Sequence, residues 1–168
     1  LMFVDHVEKL RADGYVNKVK TFDITSAGGL VGQFYYEGAY DLAPDEALIV
    51  TSDLPKTCRY RSLILTNGIY ETTDWYNNHS SLNQAQALPD SDGKLRIVIA
   101  NTDPGIANWL DTAGHPTGLL QGRWMECDSH PVPEVTKVKL SELRAYLPAD
   151  VRTVTPEQRE AIVRERRA

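Results

Sequence analysis

The chain has 168 residues, 42% of them hydrophobic and 24% charged, which suits one globular domain with a single core and excludes a disordered or fibrous chain. Its net charge of −5 is uneven: residues 151–168 carry five arginines against three glutamates, so this tail is +2 and the remainder −7. An acidic body excludes general phosphate-backbone binding, so no nucleic-acid partner is expected; no apolar run approaches the about 20 residues of a membrane span, so no membrane partner is expected either.

Phe3, Val7 and Leu10 recur at helical spacing before Asp13-Gly14, which predicts a short amphipathic N-terminal helix. The same stretch contains Asp5, His6, Glu8 and Lys9, so it does not read as a secretory leader, and a cytoplasmic chain is expected. The chain begins at Leu1 and not at methionine, as a piece of a longer chain does. Gly28, Gly29 and Gly32 match neither G-x-G-x-x-G nor the P-loop, and they lead into the aromatic, β-prone run Val31–Tyr36. Ala47–Thr51 follows Pro44-Asp45, Tyr60–Leu65 follows Pro55, and Ile69–Thr73 extends or pairs with the latter. Leu95–Ala100, with Arg96 on its minority face, Leu119–Cys127 and Val135–Leu140 complete the set. Short alternating segments punctuated by Gly, Pro, Asn and Asp predict an all-β sandwich or barrel.

The end is helical again. Ser141–Arg144 starts a short turn before Pro148, and Thr155-Pro156-Glu157-Gln158 is a capping box that predicts a helix over Glu157–Arg166. Only Ala161, Ile162 and Val163 give this helix an apolar face, so it is expected at an edge or against another chain. The terminal helices are thus the expected surface for a homo-oligomer or for pairing with an N-terminal region. There is no internal repeat and no low-complexity linker, so residues 1–168 are expected to form one domain.

Two cysteines, Cys58 and Cys127, are too few for a disulfide scaffold, and reduced thiols are expected. Four scattered histidines and two separated cysteines show no ligand spacing, so neither a metal nor a cofactor is expected. Chemistry concentrates in two loops. Trp75-Tyr76-Asn77-Asn78-His79-Ser80-Ser81-Leu82-Asn83-Gln84 is dense in neutral hydrogen-bonding groups and aromatics. His79 beside Ser80 invites a hydrolase reading, but no G-x-S-x-G elbow exists and adjacent side chains seldom face each other. Asp103-Pro104-Gly105-Ile106-Ala107-Asn108-Trp109-Leu110-Asp111-Thr112 carries three polar side chains on an irregular excursion. These can hold a hard cation through their oxygens or grip sugar hydroxyls beside Trp109, or they can saturate the loop's own N–H groups around a core Trp109, the reading that plain loop geometry favours. Trp109 and Trp124 are expected to be buried and Trp75 more exposed.

Tyr40-Asp41-Leu42-Ala43-Pro44-Asp45-Glu46-Ala47-Leu48, Ser81-Leu82-Asn83, Asp92-Gly93, Asp103–Thr112 and Arg123-Trp124, in this order, resemble the domain of unknown function 1214 family. The resemblance runs from about Tyr36 to Thr155. It implies a bacterial, jelly-roll-like β-sandwich that often forms the C-terminal part of a longer chain, and it brings no catalytic residues. Three functions follow as expectations. The first is a domain binding a small polar or carbohydrate-like ligand through Trp75, Asn78, Asn83, Gln84, Asp103, Asn108, Asp111 and Arg123, with the site where the two loops meet. The second is a hydrolase or lyase using Asp103 or Asp111 as acid or base with Arg123 as electrostatic partner. The third is a structural or assembly role.

Overall fold

The computed structural model of the chain describes residues 2–22, 24, 25 and 28–168, and side chains from Val4 onward. Nine strands among these residues build two sheets. β1 (Lys20–Phe22), β2 (Gln33–Asp41), β8 (Thr117–Cys127), β4 (Cys58–Thr66) and β5 (Ser81–Asn83) lie in that order in the first sheet. β7 (Trp109–Asp111), β6 (Leu95–Ala100), β3 (Glu46–Ser52) and β9 (Glu134–Lys139) form the second. Every pairing is antiparallel except β6 with β7. The core between the sheets contains Tyr36, Tyr40, Leu48, Val50, Leu63, Leu65, Ile97, Ile99, Leu110, Leu120 and Trp124. Alternate residues of the same strands point outward, and both outer faces are partly covered. Val7 and Leu10 of α1 (Met2–Ala12) pack on Leu119, and Leu143 and Leu147 pack on Ile49, Val98 and Trp109. Coverage on two sides explains why β3 and β6 read as nearly continuous apolar runs.

The six main strands fall where the sequence predicts them, with ends shifted by up to five residues. β1, β5 and β7 are three-residue strands that no periodicity can reveal. Ile69–Thr73 makes only one bridge, Thr66 to Thr72. The N-terminal helix forms, although Phe3, the first residue of its expected apolar stripe, has a side chain outside those described. A second contact fixes α1: His6 Nε2 lies 2.8 Å from Oε1 of Glu37, a carboxylate fully buried on β2. Leu140–Tyr146 is a 3-10 helix, and α2 (Pro156–Glu165) opens on the expected capping box. Trp109 and Trp124 are 6% and 2% exposed and Trp75 is 50% exposed, as expected.

The expectation of reduced thiols is corrected. Cys58 and Cys127 stand opposite each other on β4 and β8 and form a disulfide across 69 residues of sequence. Counting cysteines cannot find such a pair, because only strand register brings the two Cβ atoms together.

Candidate functional site

Asp103-Pro104-Gly105 turns the chain back after β6. Gly105 adopts φ 71°, a left-handed conformation that glycine reaches without a side-chain clash. Asp103 Oδ1 accepts the Gly105 N–H at 2.8 Å, and the turn lets β7 lie parallel to β6 after residues 101–108 alone. The far side of the loop is tied to the chain entering α2: the Val154 N–H donates to Gly105 O at 3.0 Å and the Ala107 N–H to Arg152 O at 2.9 Å.

α2 docks through a cation. Arg159 is 6% exposed and is the buried residue of this helix. Its Nε donates to Asp103 Oδ2 at 2.8 Å, and its other nitrogens donate to the carbonyls of Ile106 and Ala107. The guanidinium lies over the Trp109 ring, 5.0 Å from the centroid. Ionic, hydrogen-bonded and cation–π contacts thus replace the apolar face the helix lacks.

His79 sits beneath this arginine, 3% exposed and stacked on Trp109 with ring planes 8° apart. Its Nδ1 meets the Trp109 carbonyl, so Nδ1 carries the proton and Nε2 faces Arg159 Nη1 at 3.4 Å. Burial, reinforced by the charges of Arg166 and Arg159, pushes the His79 pKa down to about 4, and the ring is neutral at pH 7. Ser80 turns away from it and donates to Asp111 O at 2.6 Å, which removes the geometric basis for a His79–Ser80 pair. The Asp111 N–H donates to His79 O at 2.9 Å. The two loops singled out in the sequence therefore meet through His79, Ser80, Trp109 and Asp111.

Beside this junction opens a cleft of about 670 Å³, whose polar lining comprises His79, Gln86, Arg152, Thr153, Glu165 and Arg166. Arg166 donates to Ser81 Oγ at 3.1 Å and to Ser81 O at 2.6 Å. Arg152 Nη2 donates to Leu88 O at 2.8 Å and to Asn108 Oδ1 at 3.1 Å. The Tyr76 hydroxyl donates to Arg167 O at 3.2 Å, closing the end of α2 onto the first loop.

None of the eight residues expected to bind ligand lines this cleft. Trp75 packs edge-on against Tyr76, and Asn78 Nδ2 donates to Asp74 O at 3.0 Å. Asn83 Oδ1 caps a turn by accepting the N–H groups of Ala85 and Gln86. Gln84 Nε2 donates to Arg59 O at 3.1 Å. Asn108, 3% exposed, donates to Leu88 O and Arg96 O. Asp103 is committed to Arg159. Asp111 Oδ1 accepts the Ala113 N–H at 2.8 Å, and burial raises its pKa. Arg123 lies on β8 with its guanidinium 4.9 Å from the Tyr35 centroid. Polar side chains in these loops are spent on backbone groups, the use that irregular segments demand. Sequence reasoning missed Arg152, Arg159 and Arg166 as site-builders. The available signal was the basic tail on a helix with too little apolar surface to dock. Among the described residues, no three His, Cys, Asp or Glu side chains gather as a metal site, and no helix is long and apolar enough to cross a membrane.

No protein-family model and no curated protein matches the chain. Among solved structures it is similar to an uncharacterised protein from Burkholderia cenocepacia, at 34% identity and a TM-score of 0.78 over 83% of this chain. It also shares its fold with the VPA0106 protein from Vibrio parahaemolyticus, at 15% identity and a TM-score of 0.53 over 81% of this chain. The chain spans 39% of the first of these proteins and 42% of the second.

Proposed function

We propose that this chain is a small-molecule-binding β-sandwich domain whose ligand occupies the cleft beside His79. One observation carries the reading: a space of about 670 Å³ with convergent polar groups opens where the two loops and α2 meet. The polar lining suits the small polar or carbohydrate-like ligand expected from the sequence. The acid–base alternative with Asp103, Asp111 and Arg123 has less support, because Asp103 is ion-paired to Arg159 and Arg123 stacks over Tyr35. The proposal includes membership of the domain of unknown function 1214 family and a jelly-roll-like topology. The succession β2–β3, β3–β4, β7–β8 and β8–β9, in which the chain changes sheet at each step, supports the latter. For compartment, the Cys58–Cys127 disulfide favours an oxidising environment over the cytoplasm.

The test is a nuclear magnetic resonance titration with a panel of neutral and charged small polar compounds. Binding should move the amide signals of Ala85, Ala107, Val154 and Ile162, and Ala85→Trp, which fills the cleft from an exposed position, should abolish the shifts while the fold persists. Shifts that map elsewhere, or that survive Ala85→Trp, would remove the cleft from consideration.

A further inference from the structure

We propose that the cleft grips an oxyanion on its ligand, a carboxylate or a phosphate, between Arg152 and Arg166; this rests on the reading of the cleft as the ligand site. Two arginines, Arg152 and Arg166, line it and a third, Arg159, faces His79 in its wall, but their charges are not equally compensated. Arg159 is answered by Asp103 at 2.8 Å. Among the described residues neither Arg152 nor Arg166 has a carboxylate within salt-bridge distance, although Glu165 also lines the cleft. Of the other eight arginines, four (Arg11, Arg59, Arg96 and Arg164) have such a partner among the described residues. Two cations left unpaired on one concave surface, in a chain of net charge −5, form a local positive field where the rest of the molecule is acidic.

Both guanidinium groups are also held in place before any ligand arrives. Asn108 and Leu88 fix one edge of Arg152, and Ser81 takes two nitrogens of Arg166. A planar fork already oriented loses little conformational entropy when it closes on an oxyanion. Arg166 also has unspent donor capacity, since its Nε is buried without an acceptor. Burial and the neighbouring Arg159 disfavour the Arg166 charge, a penalty that an entering anion would relieve. His79, neutral, contributes a polar wall without adding charge. Arg159 acts here as a positioning residue: by pinning α2 onto Asp103 it sets where Arg166 falls.

Glucose, glucuronate and glucose 6-phosphate form a matched set of neutral, carboxylate and phosphate probes. Isothermal titration and amide-shift mapping on the intact chain should show the two anions binding in the cleft at least tenfold more tightly than glucose, with affinity falling as salt rises. Arg152→Gln should weaken the anions tenfold or more, Arg152→Lys should restore part of the loss, and glucose should be indifferent to both. Circular dichroism and thermal unfolding verify that each variant is folded. Whichever anion is tighter identifies carboxylate or phosphate as the group recognised. Equal binding of glucose and both anions in the cleft would overturn the oxyanion inference while leaving the ligand site standing. Anion binding unaffected by Arg152→Gln and by Arg166→Lys would also overturn it. Failure of all three probes to shift cleft residues at millimolar concentration would count against the inference, and a different panel compound seated there would separate that failure from loss of the site.

Discussion

His79 and Arg159 face each other at 3.4 Å, and each constrains what the other does. His79 takes up a proton near its ordinary value of 6.5 when unfolded but only near pH 4 in the fold. Between these values the unfolded chain binds the extra proton, so stability falls as pH drops from about 6.5 to about 4. His79→Asn keeps a donor for the Trp109 carbonyl and does not titrate. Urea unfolding at pH 7 and pH 4.5 should show the wild type losing roughly 2–3 kcal/mol more than this variant between the two conditions. Equal losses would mean that His79 is charged in the fold. For Arg159, Arg159→Met keeps the stem but leaves Asp103 and the Ile106 and Ala107 carbonyls without their donor. Denaturant unfolding should show a cost of about 2–4 kcal/mol, below the range for a fully buried pair because Asp103 is partly exposed. Asp103→Asn should cost less, and the double variant less than the sum of the two.

α2 and β7 are elements whose existence depends on neighbours. A three-residue strand cannot hold itself, and β7 is held by parallel pairing to β6 and by Trp109, whose Nε1 donates to Ala100 O at 3.0 Å. Trp109 also carries the ring on which His79 stacks and over which Arg159 sits. Trp109→Ala should therefore cost about 3–5 kcal/mol and loosen α2 at the same time. Hydrogen exchange would register this as lost protection over α2, whereas a purely local defect would leave α2 protection unchanged. Gly122 on β8 is limited from the opposite direction. A Cβ there would fall 1.8 Å from the Tyr36 ring, so Gly122→Ala should destabilise the central pairing by about 1–3 kcal/mol through overpacking, as read by thermal unfolding.

Taken as a whole, the molecule is two sheets, the first of which is crosslinked between its neighbouring strands β4 and β8. The disulfide closes a segment with a sequence separation of 69 that contains β5, β6 and β7 and both of the polar loops. The replacement Cys58→Ser with Cys127→Ser should lower stability by roughly 2–4 kcal/mol, mostly by enlarging the freedom of the unfolded chain. A thiol titration of the unfolded wild type without reductant should find no free thiol. Two free thiols there, with unchanged stability in the double variant, would contradict the crosslink.

What the residues determined alone is the all-β class, the six longer strands, the capped C-terminal helix and the burial of Trp109 and Trp124. These follow from local patterns: alternation along a strand, a capping box, an aromatic in an apolar frame. The sequence also singled out the two loops that meet, because polar and aromatic residues without periodicity do not pack as regular elements. Which side chains in those loops are spent on backbone groups, and which face open space, was decided only by tertiary structure. Asp103 and Asn83 look like ligands and serve turns, Asn108 looks like a ligand and ties its loop to Leu88 and Arg96, whereas Arg152 and Arg166 belong to the basic tail and line the cleft. The same holds for Cys58 and Cys127, which only strand register brings together. The physical reason is common to all: a polar group's partner is set by the fold's long-range contacts, and residue type fixes only its capacity to donate, accept or carry charge.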